Sequence, residues 1–300
     1  MHKKLLNLFP WRFRSLTNYR VANANSLFRA ALTTPPLAVA KEAEVEVHSL
    51  VCKRDTNMLL VSAKSLLQYL TNVSLVIHED GSLNDTDCAI LLDHLPGCRL
   101  IRRCDADQAL KSVLPIDVMK WRQEGVFLLK LIDFNYFCSG KSMIVLDSDI
   151  VFLDRPSEVI EWIAQEPRTT SFYNQDIANT FRANSNLDRP IPPLFNAGFM
   201  GLSAPFHLSE ILAAMRILNY RTEDQTIYSW LMANENTVAL PRDRYFVFDE
   251  SQLPSHVCMV HFISQHRFTT DTYIQLARQI CDRAFKSQWQ QQHPKSADGR

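Results

Sequence analysis

The chain reads as one large α/β domain built on a mostly parallel twisted sheet with helices on both faces. Three observations carry that reading. Strand-like apolar runs alternate with helix-periodic segments four times between residues 45 and 146, the pattern of repeated right-handed crossovers. With 300 residues and 46% hydrophobic content, the chain can bury a full core. Finally, Met143 to Leu146 is apolar throughout, β-branched at Ile144 and Val145 and too short for a helix, as a central strand covered on both faces must be.

In order along the chain, residues 1–42 form a basic leader. Residues 43–160 form a first βα half. Val45 to Cys52 reads as a strand, Asn57 to Leu70 as a helix, Val73 to Ile77 as a second strand, and a helix capped by Asn84 or Asp85 runs to the Pro96-Gly97 stop. Cys98 to Ile101 is a third strand, and a short helix opens at Asp105. Val118 to Phe137 is predicted as one long helix leading into Met143 to Leu146. Residues 161–269 form a second half: a strand at Thr170 to Tyr173, a polar loop from Asn174 to Pro193, a strand from Leu194 to Leu202, helices at His207 to Leu218 and Thr222 to Ala233, and a strand at Val257 to Phe262. Thr222 and Gln225 have the spacing of a capping box. Residues 270–300 read as a terminal amphipathic helix and tail.

Charge is balanced overall but not along the chain. Residues 1–41 hold seven basic side chains and no acid, and removing those seven from 32 leaves 25 basic against 32 acidic. An acidic body argues against nucleic acid as a partner. The leader also carries Leu5, Leu6, Leu8, Phe9, Trp11 and Phe13, a composition suited either to an anionic membrane surface or to an extra packing segment. No apolar stretch reaches the roughly 20 residues of a membrane-spanning helix. Met1 to Phe9 lacks a signal-peptide core, so the expected location is cytoplasmic, with peripheral membrane contact through the leader as an option. Seven cysteines without a CxxC pair fit neither a zinc site nor a disulfide framework.

The central apolar run ends abruptly on Asp147 and Asp149. Two like charges held at the edge of a core repel, and a hard divalent cation such as Mg²⁺ or Mn²⁺ relieves them. The plainer alternative is that both aspartates cap a turn. Relief of that repulsion also predicts that Asp149→Asn would keep or raise stability. Two of the seven glycines, Gly198 and Gly201, fall within one predicted strand and mark a close backbone approach.

Four separated stretches, Asp147-Ser148-Asp149, Phe195-Asn196-Ala197-Gly198, Asp224-Gln225 and His261 through Arg267, together resemble the nucleotide-sugar glycosyltransferases of the GT-A (Rossmann-like) fold. Glycosyltransferase family 8, the group with glycogenin and lipooligosaccharide galactosyltransferases, has the same order of motifs. The resemblance implies a metal-dependent transfer, with retention, from a nucleoside-diphosphate donor such as a UDP-hexose to a saccharide, lipid-linked or protein hydroxyl. It implies Mn²⁺ or Mg²⁺ held by Asp147, Asp149 and His261. Lys130, Asp147, Gly198, Ser264 and Arg267 would contact the donor, and Asn196, Asp224 and Gln225 would face the reacting centre. Ser264 and Arg267 stand where the family has Gly and Lys, and Lys130 where it often has Arg. Cys52 to Asp55 does not align with the family's first loop.

Three alternatives remain open. The Asp147-Ser148-Asp149-Ile150-Val151 run also resembles haloacid-dehalogenase phosphatases, although several βα units precede it. A sugar-nucleotide pyrophosphorylase would need an early glycine-rich loop that is missing before Gly81. A non-catalytic GT-A module binding the donor without transferring it would keep the same residues.

Overall fold

The computed structural model describes residues 10–178, 191–218, 224–233, 236–264 and 266–292, with side chains to residue 284. The leader's first nine residues, Thr222 of the capping box and most of the predicted 174–193 loop lie outside them.

Seven strands form the main sheet in the order β3-β2-β1-β4-β7-β6-β8. The first half supplies β1 (Val45–Val51), β2 (Val73–Glu79), β3 (Arg99–Ile101) and β4 (Ser142–Leu146), all mutually parallel. Every residue of β2 and β4 is buried, which is why Met143 to Leu146 reads as a continuous apolar run, and Ser74, His78 and Glu79 are buried polar residues of β2. The sheet is not parallel beyond β4. Strand β7 (Phe195–Leu202) runs antiparallel to both β4 and β6 (Ser171–Gln175), and β8 (Thr237–Ala239) returns parallel to β6. A second, three-stranded sheet joins β5 (Ile150–Phe152), β9 (Tyr245–Val247) and β10 (Met259–His261), none of which exceeds three residues.

Among the helices, α1 is Leu16–Ala22, α2 Thr56–Leu67, α3 Asp85–His94, α4 Arg103–Leu110, α5 Ile116–Glu124, α6 Ser157–Ala164, α7 Leu208–Ile217, α8 Asp224–Met232 and α9 Thr272–Gln292. The Asn84 cap of α3 is a reciprocal box with Asp87. The long helix expected from Val118 to Phe137 is broken. Gly125 is extended (φ −128°, ψ 109°), and after Val126–Leu128 the backbone widens into a π-turn at Leu129–Asp133. Glycine gives up most backbone entropy in a helix, so the break falls there.

Part of the leader packs on the domain. Ala24, Phe28 and Ala31 are buried, and Ala40 bridges Ser74 at the start of β2. Trp11, Phe13, Leu16 and Tyr19 are exposed. All seven cysteines are free, with Cys88, Cys258 and Cys281 buried and Cys104 exposed. No helix among the described residues is long and apolar enough to cross a membrane.

Candidate metal centre and donor cleft

Strand β4 ends by delivering Asp147, and the backbone is held from both sides at that point. Asp147 N donates to Gly198 O of the antiparallel neighbour at 2.8 Å. From behind, Ser62 Oγ of α2 donates to Asp147 O at 2.9 Å and the Tyr273 hydroxyl of α9 to Ser148 O at 3.2 Å. Pairing of β10 with β5 sets His261 opposite Ile150, and Phe262 N donates to Asp149 O at 3.0 Å. These bonds fix three backbones, and the side chains of Asp147, Asp149 and His261 converge from them.

Ligand atoms of those three residues lie within 4.8 Å of one another. His261 Nε2 is 3.2 Å from Asp149 Oδ1 and 3.8 Å from Asp147 Oδ2. Two carboxylates and one imidazole are a donor set suited to Mn²⁺ or Mg²⁺. Gly198 fits under them as no other residue could: a Cβ there would lie 2.1 Å from His261 Cε1 and 2.8 Å from Asp147 Oδ2. His261 Nδ1 is buried without a hydrogen-bond partner among the described residues, so the ring is oriented by this packing and by the carboxylates.

Two cations, Lys130 and Arg267, and four acids, Asp55, Asp147, Asp149 and Asp224, form a set connected through His261. Lys130, buried on the π-turn, bridges Asp147 Oδ1 at 2.9 Å and Asp224 Oδ2 at 3.1 Å. π-turns recur at functional sites because they re-aim one side chain within a helix. Burial alone would lower the Lys130 pKa, but the two carboxylates outweigh it and hold the ammonium charged. For Asp147, burial and the nearby Asp149 raise the pKa against the pull of Lys130. Asp149 is also buried, yet Arg267 and His261 bring its pKa down to about 2. Arg267 Nη1 sits 3.3 Å from Asp149 and 3.5 Å from Asp55, and its Nε donates to Ser264 O at 3.1 Å. Ser264 adopts φ +51°, the left-handed conformation that favours glycine.

On the far wall, Asn196 and Gln225 both donate to Asp176 Oδ2, at 3.0 and 3.3 Å. Asn196 Oδ1 accepts from Gly198 N and Gln225 Oε1 from Ala197 N, so each amide has a defined orientation. Asp176 was missed from sequence because it lies inside the stretch read as loop. The signal that marked Asp147 was missing here, because β6 ends on Asn174 and Gln175 rather than on an apolar run. A register shift at Tyr173/Asn174 lets β6 deliver it.

Lys130, Asp147, Asp149, Asn196, Gly198, Asp224, Gln225, His261, Ser264 and Arg267, the residues singled out from sequence, all line one cleft of about 540 Å³. Leu50, Val126, Phe127 and Ile177 add an apolar side that the sequence did not reveal. A second donor group, Glu46, His48 and Cys138, also clusters. Glu46 already accepts from His48, Ser139 and Arg99, and the Arg99 charge opposes a cation, so that group is a buried hydrogen-bond network.

No protein-family model matches the sequence, nor does any curated protein. Solved structures do match the backbone. The galactosyltransferase LgtC, in complex with donor and acceptor sugar analogs, aligns with a TM-score of 0.52 at 11% identity over 77% of this chain and 95% of LgtC. Mouse xyloside xylosyltransferase 1 aligns at 0.49 and 15% identity, over 75% of this chain and 98% of its own. The glycosyltransferase GlyE of Streptococcus pneumoniae aligns at 0.49 and 14% identity, over 81% and 63%. The chain therefore has the GT-A fold, a mixed sheet between helices, as the LgtC likeness shows.

Proposed function

We propose that the protein is a metal-dependent glycosyltransferase, moving a hexose from a UDP-sugar to a hydroxyl acceptor with retention. One observation carries the reading: Asp147 and Asp149 from one chain segment and His261 from another close on a common point in the cleft that also holds Lys130, Asn196, Asp224, Gln225 and Arg267. A bound Mn²⁺ or Mg²⁺ would be held by those three side chains and would stabilise charge on the departing diphosphate. Arg267, beside Asp149, is the guanidinium placed to take a phosphate oxygen bidentately. Lys130 neutralises Asp147 and Asp224 and keeps both carboxylates fixed in a water-poor site. Asn196 and Gln225, oriented by Asp176, offer polar groups to the sugar, and Gly198 leaves room for its approach. Asp224 and Gln225 open α8 beside this wall and face the reacting centre.

In this reading residues 43–160 bind the nucleotide and 161–269 the sugar and acceptor, whether saccharide, lipid-linked or protein. Exposed Trp11, Phe13, Leu16 and Tyr19 beside Arg12 support peripheral contact with an anionic membrane from the cytoplasmic side. His261 facing both aspartates favours transfer over the phosphatase alternative, which assigns that imidazole no part.

The test is a panel of nucleotide sugars incubated with Mn²⁺ or with EDTA. Release of UDP only with metal is the expected result. Phosphate release from simple phosphomonoesters, or no binding of any sugar nucleotide, would overturn the proposal.

A further inference from the structure

Away from the donor cleft, a cavity of about 450 Å³ lies between the packed part of the leader, α2 and α9. Its walls are largely apolar, with Leu37, Leu60, Val61 and Ile280 among them, but Thr34, Lys64 and Gln68 also line it. That lysine is only 7% exposed. Its ammonium donates to Thr34 Oγ1 at 2.8 Å and to Pro35 O at 2.6 Å, and meets His94 Nδ1 at 2.8 Å. These are neutral acceptors, and no carboxylate pairs with Lys64 among the described residues. A buried charge is ordinarily paired with an opposite one, because hydrogen bonds alone do not restore the lost hydration. Burial pushes the Lys64 pKa down to about 8, which agrees with a missing counter-charge. At neutral pH the group is still mostly protonated, so the cavity is an apolar chamber with a fixed positive charge in its wall.

We propose that this cavity binds a small amphipathic monocarboxylate, its head paired with Lys64 and its alkyl body against Leu37, Leu60 and Ile280. A carboxylate oxygen can replace any one of the three neutral acceptors without costing the ammonium a hydrogen bond, and it adds the charge that none of them supplies. The apolar walls reject a fully hydrated anion such as phosphate, which brings no surface for them to cover. This inference concerns a separate cavity and stands whether or not the protein transfers sugars.

The probes are octanoate, octanol and inorganic phosphate, titrated calorimetrically into the full-length protein. Octanoate should bind at least tenfold more tightly than octanol, phosphate should not bind, and Lys64→Met should remove the preference for the acid. Should Lys64→Met not fold, a second measurement on the wild type replaces it. Cys281 lines the same cavity, so octanoate should slow its alkylation, resolved by peptide mass spectrometry, while leaving exposed Cys104 unaffected. Equal binding of octanol and octanoate, octanoate affinity unchanged in Lys64→Met, or no protection of Cys281 would each overturn the proposal. Failure of octanoate to bind at all, as when another stretch of the chain fills the cavity, would overturn it too.

Discussion

Replacing Gly198 with alanine tests the metal centre through its packing rather than its ligands. The added methyl would lie 2.1 Å from His261 Cε1 and 2.8 Å from both His261 Nδ1 and Asp147 Oδ2. Carbon atoms rest near 3.5 Å apart, so the imidazole must retreat by about 1.4 Å. The backbone cannot yield instead. Asp147 N bonds Gly198 O, Leu146 pairs with Phe199, and both strands are buried along their length. Two of the three candidate ligands are thus displaced together. Disturbing groups that merely orient ligands costs about 10–100-fold in metal affinity, so displacing the ligands themselves should cost at least ~100-fold. Overpacking should also cost about 1–3 kcal/mol of stability. Gly201→Ala is the control. Its methyl would lie 2.2 Å from Phe172 Cε1, an equal clash three residues along the same strand and so on its opposite face. Mn²⁺ titration calorimetry and metal-free thermal unfolding should show both variants destabilised and only Gly198→Ala unable to hold Mn²⁺. Wild-type Mn²⁺ affinity in Gly198→Ala, or equal loss in Gly201→Ala, would refute the reasoning.

Asp149→Asn should abolish Mn²⁺ binding. It should also destabilise the metal-free protein by about 2 kcal/mol at pH 7, since, despite burial, Arg267 and His261 bring the folded carboxyl down to about 2, against 3.8 for a free aspartate. Unchanged unfolding in chelator would mean that repulsion from Asp147 dominates after all. Ser264→Gly should raise stability by up to ~1 kcal/mol, because a non-glycine residue at φ +51° is strained; a lower melting temperature would show that the serine side chain compensates. His48 and His78 are buried, and burial above all lowers both pKa values below 6.5. The unfolded chain then binds more protons as the pH falls through 6.5, so stability is full above that pH and declines below it. The slope approaches about 1.4 kcal/mol per pH unit for each histidine. Urea unfolding between pH 7.5 and 5 should show this decline, reduced in His78→Leu, and a flat profile would contradict it.

The parts of the fold legible in the sequence were those with a one-sided physical cause. Strand β4 is the plain case, where burial writes itself as an uninterrupted apolar run from Met143 to Leu146, while β1 and β2 are buried too but carry Glu46, His48, Ser49, Ser74, His78 and Glu79 among their apolar residues. The direction of β7 was not legible, because the same eight buried residues would suit a parallel neighbour equally. Nor were β5 and β9, since three residues establish no period. Gly125 could have warned of the broken helix, but a lone glycine inside a helical pattern is often tolerated. At the site, residue types and order brought out the aspartates, His261 and the Asn196 and Gln225 amides. Pairing was hidden. That Lys130 lies between Asp147 and Asp224, and Arg267 against Asp149, depends on how distant segments dock. This is why charge repulsion alone and the ion pairs of the folded site give opposite expectations for the stability of Asp149→Asn.

The docking of β10 against β5 has a consequence for the order in which the molecule is made. Asp147 and Asp149 leave the ribosome well before the histidine that faces them, which sits on the last strand among the described residues. Until that strand arrives, β5 lacks its antiparallel partner and the carboxylates have only Lys130 for company. Chains released before residue 261 therefore carry both acids but no imidazole, and a ligand that needs all three cannot favour their folded form. An ion that needs all three side chains can be captured only once residue 261 has been made and β10 has docked on β5.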